Sequence, residues 1–192
     1  MIVLVRHGET DANHAGLLLG RADPDLNETG RAQARRLAVA LDGIEPIAIV
    51  TSPLARTLET ATAIGEQLKE AVEIDDRLIE LDYGEWDGKP LADVPLDAWV
   101  GWLGDPGFKP PGGESLDSLQ ARVEPCAVEL LERSRDGVII AVSHVSPIKA
   151  VVAWTLGGGP ELSWKMRLDV ASITRVAHGR TGPVLAGFNE HT

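Results

Sequence analysis

Apolar and polar positions alternate along the chain in two different patterns. Short apolar runs rich in β-branched residues occupy residues 1–5, 47–50 and 138–142 and are typical of buried strands. Between them, apolar residues recur every three or four positions, as in amphipathic helices. Strands that alternate with helices in this way predict an α/β fold with three layers, α/β/α, around a mostly parallel central sheet.

The boundaries of three helices are predicted by local signals. Residues 29–41 carry an apolar stripe at helical spacing and form the first predicted helix. A Ser-Pro pair follows each of the two later strands. Ser52 can cap a helix with Pro53 at its first position, and Ser146 can cap a helix with Pro147 in its first turn. We expect these helices to run to about residue 70 and to the glycines at 157–159.

Residues 80–115 differ from the rest of the chain. They hold three of the five tryptophans, many glycines and prolines, and little periodicity. This composition predicts an insertion over the sheet, here called the lid, rather than a second domain, so residues 1–192 form one domain. Within the lid, Trp99 and Trp102 lie three apart on a short helix, and core packing is favoured over substrate contact. Apolar runs at 169–176 and 184–188 predict two edge strands.

Composition restricts the function classes. With 44% apolar residues, the chain is too apolar for a disordered acidic segment, and no apolar run approaches the ~18 residues of a membrane span. The first apolar run stops at Arg6, before a signal-peptide core could form, so a cytoplasmic protein is expected. The formal charge of −11 argues against nucleic acid as a partner.

Metal and disulfide chemistry have no signal in the sequence. Cys126 is the single cysteine, which excludes an internal disulfide and a zinc site built on cysteine pairs. His14, His178 and His191 are scattered, and the acidic residues lack the spacing of a calcium loop. We therefore expect no metal site and no cofactor.

Three residue types suited to phosphate binding follow the first strand directly. In open α/β sheets, ligands bind beyond the carboxyl ends of the strands, and Arg6, His7 and Gly8 occupy that position. The arginine offers a fork of donors that suits phosphate, and a glycine lets the backbone approach an anion closely. A single Arg-His-Gly tripeptide is weak evidence by itself.

The same logic recurs at the other strand ends. Arg56 lies one turn into the helix that follows the second strand, and His144 directly follows the third strand. Helix amino ends favour anions, so both positions suit a phosphate group. Three strand ends therefore carry four potential phosphate ligands, which predicts a phosphate site at this edge of the sheet.

These segments resemble the histidine phosphatase superfamily, which has the phosphoglycerate mutase-like fold. The resemblance rests on LVRHGETDAN, LNETGRAQA, TSPLARTLETA, LIELDYGEWDG, PPGGES and VSHV, in that order along the chain. It implies that His7 is the nucleophile that becomes phosphorylated and that Glu80 donates a proton. It further implies that the phosphoryl group is held by Arg6, Asn13, Arg56 and His144. Along the same motifs we predict substrate-binding positions at Gly8, Thr10, Gly20, Arg21, Tyr83 and Val145.

The predicted roles agree with the chemistry of phosphoryl transfer. Neutral imidazole is a good nucleophile, and a carbonyl oxygen on its other ring nitrogen would orient it. An alkoxide leaving group needs a proton, which a carboxylic acid in the 80–87 segment could deliver. From the residues alone, Glu80, Asp82, Glu85 and Asp87 are equal candidates, and only the resemblance selects Glu80.

Departures from the mutase pattern favour a phosphatase. Bisphosphoglycerate-dependent mutases carry Ser or Thr where this chain has Leu19, and an arginine pair where this lid has residues 97–102. An apolar side chain cannot hold a substrate carboxylate. Val145 also replaces the glycine that much of the family has after the second histidine.

We therefore expect a phosphomonoesterase that acts on a small-molecule phosphate ester, with a cofactor-dependent phosphoglycerate mutase and a non-catalytic phosphate-binding module as alternatives. Sugar phosphates, phosphoglycerate derivatives, α-ribazole phosphate and nucleotides all satisfy these motifs. The oligomeric state has no signal in the sequence.

Overall fold

The computed structural model describes residues 1–192 as a six-stranded sheet with helices packed on both faces. The strands are β1 (Ile2–Arg6), β2 (Pro46–Thr51), β3 (Val72–Ile74), β4 (Val138–Ser143), β5 (Ile173–His178) and β6 (Pro183–Glu190). The helices are α1 (Asp11–His14), α2 (Glu28–Ala40), α3 (Ala55–Leu68), α4 (Leu96–Gly104), α5 (Leu116–Arg133) and α6 (Val145–Thr155). No helix combines the length and the hydropathy that a membrane crossing requires.

Alternate residues of β1 belong to two separate hydrophobic clusters. Ile2 and Leu4 pack with residues of α5 and α6, while Val3 and Val5 pack with residues of α2 and α3. Successive side chains of a strand point to opposite faces, so a strand covered by helices on both sides must be apolar throughout. The three-layer α/β/α prediction is confirmed.

The strand order is β3-β2-β4-β1-β5-β6, and the first four of these strands run parallel. The strands β5 and β6 run antiparallel to their neighbours. The prediction of two edge strands near the carboxyl end of the chain is wrong for β5, which lies between β1 and β6. The opposite edge is β3, which has three residues and is too short for its periodicity to be visible in the sequence.

This order places the three functional strand ends side by side. Because β4 lies between β2 and β1, with Arg6 paired to Ser143 and Thr51 paired to Val142, the loops after these strands meet at one edge of the sheet.

The predicted serine caps are wrong for both helices, whereas the first-turn proline predicted for the last helix is confirmed. The helix α3 begins at Ala55, with Leu54 at the cap position and no capping side chain, because the Ser52 hydroxyl is bound to His144 instead. The helix α6 begins at Val145, so Ser146 and Pro147 lie inside its first turn. In α2, by contrast, the Asn27 side chain accepts from the N–H of Gly30 and caps the helix.

The lid contains two 3₁₀ turns, at Gly84–Trp86 and Leu91–Asp93, followed by α4. Trp86 and Trp102 are buried, and their ring centroids lie 5.6 Å apart. Trp99 packs edge-on against Trp102 at 5.4 Å. The interpretation of Trp102 as a core residue is confirmed, and the aromatic rings of the lid pack against one another.

Candidate active site

The two histidines at the strand ends face each other in the interior. His7 follows β1, His144 follows β4, and their ring centroids lie 5.1 Å apart at an interplanar angle of 62°. The His7 Nδ1 lies 2.7 Å from the carbonyl oxygen of Gly8. A carbonyl oxygen only accepts hydrogen bonds, so Nδ1 carries the proton and Nε2 keeps its lone pair. The expected orientation of the nucleophile by a carbonyl is therefore present.

The surroundings of both histidines keep them neutral. Burial, followed by the charges of Arg6 and Arg56, holds the pKa of His7 well below its usual range. Burial, followed by the neighbouring His7 and Arg56, lowers the pKa of His144 in the same direction. At neutral pH, His7 is thus a neutral imidazole with a free lone pair, which is the form that attacks phosphorus.

Two arginines flank the histidines, of which Arg56 is buried and Arg6 is half-buried. Arg6 Nη1 donates to the carbonyl of Leu168 at 2.6 Å, and Arg56 donates to the carbonyls of Ala22 and Gly20, each at 2.8 Å. The Nε atoms of both arginines are buried and have no hydrogen-bond partner. Burial lowers the pKa of both guanidinium groups, with the charge of Glu80 opposing it.

Unsatisfied buried donors are rare in folded proteins and call for a physical explanation. His144 adds a third such atom, because its Nε2 is bound to the Ser52 hydroxyl at 2.7 Å while its Nδ1 has no partner. When the hydroxyl donates to Nε2, the proton lies on Nδ1, which then also donates. In that tautomer, two guanidinium Nε–H groups and one imidazole N–H without acceptors form a site suited to the oxygens of a phosphoryl group.

Among the four candidate acids, Glu80 is distinguished by its position. Its carboxylate is buried and accepts from the N–H groups of Leu81 at 2.7 Å and Ser146 at 3.2 Å, which places it at the amino end of α6. Its charge acts on both Arg6 and Arg56.

The three rival carboxylates have structural roles or face the solvent. Asp87 accepts from the N–H groups of Gly20 and Ala22, at 2.8 and 2.7 Å. Asp82 accepts from the N–H of Gly84, and Glu85 is exposed. The geometry therefore favours the same acid that the resemblance selects.

Gly8 is needed in the fold for a reason that does not involve an anion. A Cβ atom there would lie 2.5 Å from the carbonyl oxygen of Gly30, and the Gly8 N–H already donates to the Thr60 hydroxyl at 3.1 Å. The glycine is required because the β1 loop passes against the first turn of α2.

Thr10 and Asn13 act as a pair. The Thr10 hydroxyl caps α1 and donates to Asn13 Oδ1 at 3.0 Å, and the Thr10 N–H also donates to that oxygen. This arrangement fixes the Asn13 amide and leaves its Nδ2 without a protein acceptor. Asn13 is therefore the side chain of this pair that can donate to a ligand.

The remaining predicted substrate-binding positions differ in what surrounds them. Tyr83 is buried with its hydroxyl 3.5 Å from the Ser146 hydroxyl, and Val145 opens α6 beside His144. Gly20 supplies a carbonyl to Arg56 rather than a donor to substrate. Arg21 pairs with Glu114 at 3.5 Å, and no contact joins it to the two histidines.

One residue of this site, Ser52, and one residue of an adjoining cavity, Lys149, were not predicted from the sequence. Ser52 was interpreted as a helix cap, although its hydroxyl binds His144. Lys149 lies four residues after Val145, on the same face of α6. Its helical spacing from Val145, a predicted substrate-binding position, is the sequence feature that could have identified it. No group of three or more His, Cys, Asp or Glu side chains is arranged to hold a metal ion.

Comparison with known proteins places this site in a known group. The model of the family described as "Histidine phosphatase superfamily (branch 1)" matches residues 2–191. A bifunctional protein of Mycobacterium tuberculosis is 34% identical over 177 residues, which are 90% of this chain and 49% of that protein. The chain thus spans about half the length of this relative.

Two phosphoserine phosphatases match over most of their length. Phosphoserine phosphatase 1 of Hydrogenobacter thermophilus is 36% identical over 178 residues, covering 90% of this chain and 84% of that protein. A mutant phosphoserine phosphatase of Entamoeba histolytica, solved in complex with phosphoserine, superposes with a TM-score of 0.90 at 28% identity. That superposition covers 98% of this chain and 96% of the other.

Proposed function

The chain belongs to the histidine phosphatase superfamily, and from that membership we propose that it hydrolyses small phosphate monoesters through a phosphohistidine at His7. The observation that carries the proposal is the neutral His7 imidazole, held by the Gly8 carbonyl beside buried arginine Nε–H groups that lack acceptors. A nucleophile beside unsatisfied cationic donors is the arrangement that an in-line transfer of a phosphoryl group needs.

In the first step, the His7 Nε2 lone pair attacks phosphorus, and the bond from phosphorus to the ester oxygen breaks. Glu80, in its protonated form, gives its proton to the departing oxygen, so the alcohol leaves neutral. Arg6, Arg56 and His144 bind the equatorial oxygens, where negative charge is concentrated.

In the second step, water attacks the phosphorus of the phosphohistidine. The Glu80 carboxylate takes a proton from that water, the bond between phosphorus and Nε2 breaks, and inorganic phosphate leaves. His7 regains its lone pair and Glu80 its proton, so both residues return to their starting states. Each step is an in-line displacement at the same phosphorus.

The relatives support a small phosphate ester as substrate. The Hydrogenobacter protein is named a phosphoserine phosphatase, and the Entamoeba structure holds phosphoserine. A mutase is disfavoured because Leu19 is a buried apolar residue and the lid, residues 80–115, contains no arginine. Water, rather than a second hydroxyl of a sugar acid, is therefore the acceptor that we propose.

The proposal is tested with His7→Ala. This variant is expected to lose both turnover of p-nitrophenyl phosphate and acid-labile phosphate labelling, while its circular dichroism spectrum stays that of the wild type. His14→Ala is the matched control, because the His14 side chain is 79% exposed. A His7→Ala variant that still becomes labelled at the normal rate would show that another residue attacks.

The same assay tests whether protein side chains, rather than a metal ion, neutralise the charge of the phosphoryl group. Because two arginines and a histidine can bind the phosphoryl oxygens, activity is expected to persist in EDTA and to be inhibited by vanadate. Complete loss in EDTA, with recovery on adding a divalent ion, would contradict this mechanism.

A further inference from the structure

A cavity of about 120 Å³ lies between α6 and the lid, next to the candidate active site. Most of its lining is aromatic or aliphatic, and it includes Tyr83, Trp99, Trp102, Val145 and Trp164. Lys149 also lines it. A single cationic side chain within an apolar wall is a typical feature that fixes the orientation of a small ligand.

Lys149 has no partner within the protein. Its ammonium group makes no hydrogen bond and no ion pair, although the side chain is half-buried on the inner face of α6. Burial and the charge of Arg6 lower its pKa, and the charge of Glu80 opposes them. Glu80 does not pair with it, since that carboxylate is held by backbone N–H groups.

The other polar groups of the cavity are weaker candidates for holding a charged ligand. The Tyr83 and Ser146 hydroxyls lie within 3.5 Å of each other. The Ser163 hydroxyl and the Trp102 Nε1–H, which has no hydrogen-bond partner, are neutral groups. Lys149 is therefore the uncommitted charge in this cavity. A partly desolvated ammonium without a counter-ion favours a negatively charged group.

The cavity adjoins the place where the leaving group must depart. Val145 and Ser146 line it and directly follow His144 in the chain. The Ser146 N–H donates to the carboxylate of Glu80, the proposed proton donor to the leaving oxygen. A group attached to that oxygen would thus extend from Glu80 into the cavity and toward Lys149.

We propose that Lys149 binds a carboxylate on the leaving group, so that the preferred substrates are phosphate esters of small hydroxy acids or hydroxy amino acids. The proposal rests on the proposed phosphatase function and specifies its substrate class. One ammonium group matches one carboxylate, whereas a second phosphate would bring more charge than this cavity can satisfy. A volume of about 120 Å³ is below the ~300–1,000 Å³ of pockets for drug-sized ligands, which favours a small leaving group.

The test compares 3-phosphoglycerate with glycerol 3-phosphate, which share a three-carbon chain and differ in a carboxylate against a hydroxymethyl group. Lys149→Met is expected to lower kcat/KM for 3-phosphoglycerate by about tenfold or more, the effect of losing a hydrogen bond between charged groups. Its kcat/KM for glycerol 3-phosphate should stay within about twofold. Lys149→Arg should retain most of the preference, because it keeps the charge.

Lys165→Met is the matched control, since Lys165 is exposed beside the same region and does not line the cavity. Wild-type protein that hydrolyses both esters equally, or a Lys149→Met variant that loses the same factor on both, would overturn the inference. Turnover of p-nitrophenyl phosphate, which has no carboxylate, reports the phosphatase function separately.

Binding gives an independent measurement. Calorimetry with His7→Ala, which cannot turn over either ester, should show tighter binding of 3-phosphoglycerate than of glycerol 3-phosphate, and the difference should disappear when Lys149→Met is added. If the wild type hydrolyses no ester at all, the proposed function fails, and this binding difference still decides the role of Lys149. Equal binding of the two compounds by His7→Ala would refute it.

Discussion

Glu80→Gln separates proton transfer from the structural role of this side chain. The carboxylate accepts from two buried N–H groups, those of Leu81 at 2.7 Å and Ser146 at 3.2 Å. The amide oxygen of glutamine can accept both bonds, but the amide cannot donate a proton as an acid. Glu80→Ala would instead leave both N–H groups without an acceptor, at about 1–3 kcal/mol each. The glutamine variant is therefore the informative one.

The expected loss depends on the leaving group. General acid catalysis contributes about 10²–10⁴-fold, or about 3–5 kcal/mol of the barrier, when an alkoxide must leave. Glu80→Gln should therefore lower kcat/KM for an alkyl phosphate by about that factor. For p-nitrophenyl phosphate the loss should be small, because the phenolate departs with little help. The value of kcat/KM describes the reaction from free enzyme and free substrate up to formation of the phosphohistidine. Slow hydrolysis of the phosphohistidine therefore does not mask the effect.

The control is Glu85→Gln, the same substitution at an exposed position of the same segment. It should leave both esters unaffected. Equal losses on both esters with Glu80→Gln would refute the role as proton donor and indicate a role in positioning or in the second step. No loss on either ester would transfer the role to Asp82, Glu85 or Asp87.

Three further predictions concern the site and its support. Arg56→Ala should lower kcat/KM by about 10- to 150-fold, the effect of one charge-assisted hydrogen bond; unchanged kinetics would limit Arg56 to its bonds with backbone carbonyls. Gly8→Ala should lower the unfolding free energy by about 1–3 kcal/mol through a backbone clash, whereas Gly104→Ala, with open space around it, should not lower it. The folded-state pKa values of His7 and His144 are depressed, so the unfolded state binds more protons than the folded state below about pH 6.5. The unfolding free energy should therefore fall by about 1.4 kcal/mol for each histidine when the pH is lowered from 7.5 to 5.5. Urea unfolding at the two pH values measures this loss, and equal stability would contradict the buried neutral state.

The sequence by itself determined the layers of the fold and the strand ends at which the predicted phosphate ligands lie. A strand buried on both faces must be apolar throughout, so β1, β2 and β4 were visible as apolar runs. Their carboxyl ends lie at the same edge of any parallel sheet, which brought Arg6, His7, Arg56 and His144 into one prediction. These inferences needed only local pattern and a general rule of sheet topology.

Hydrogen bonds between distant segments could not be predicted in this way. Ser52 has the residue type and position of a helix cap, and only the packing of β4 beside β2 brings His144 within reach of its hydroxyl. Local propensity predicts the partner available nearby, and the tertiary structure supplied a stronger one 92 residues away.

Close contacts and cavities also depended on the tertiary structure. Gly8 has the sequence context of an anion-binding loop, yet the backbone of Gly30 opposite it is what excludes a side chain. In the sequence, Lys149 is an ordinary basic residue on an amphipathic helix. In the fold it lines a cavity together with the lid tryptophans, and its charge has no partner there. The volume of the cavity and the absence of a counter-charge for Lys149 depend on several segments that meet in the fold. No single stretch of sequence encodes them.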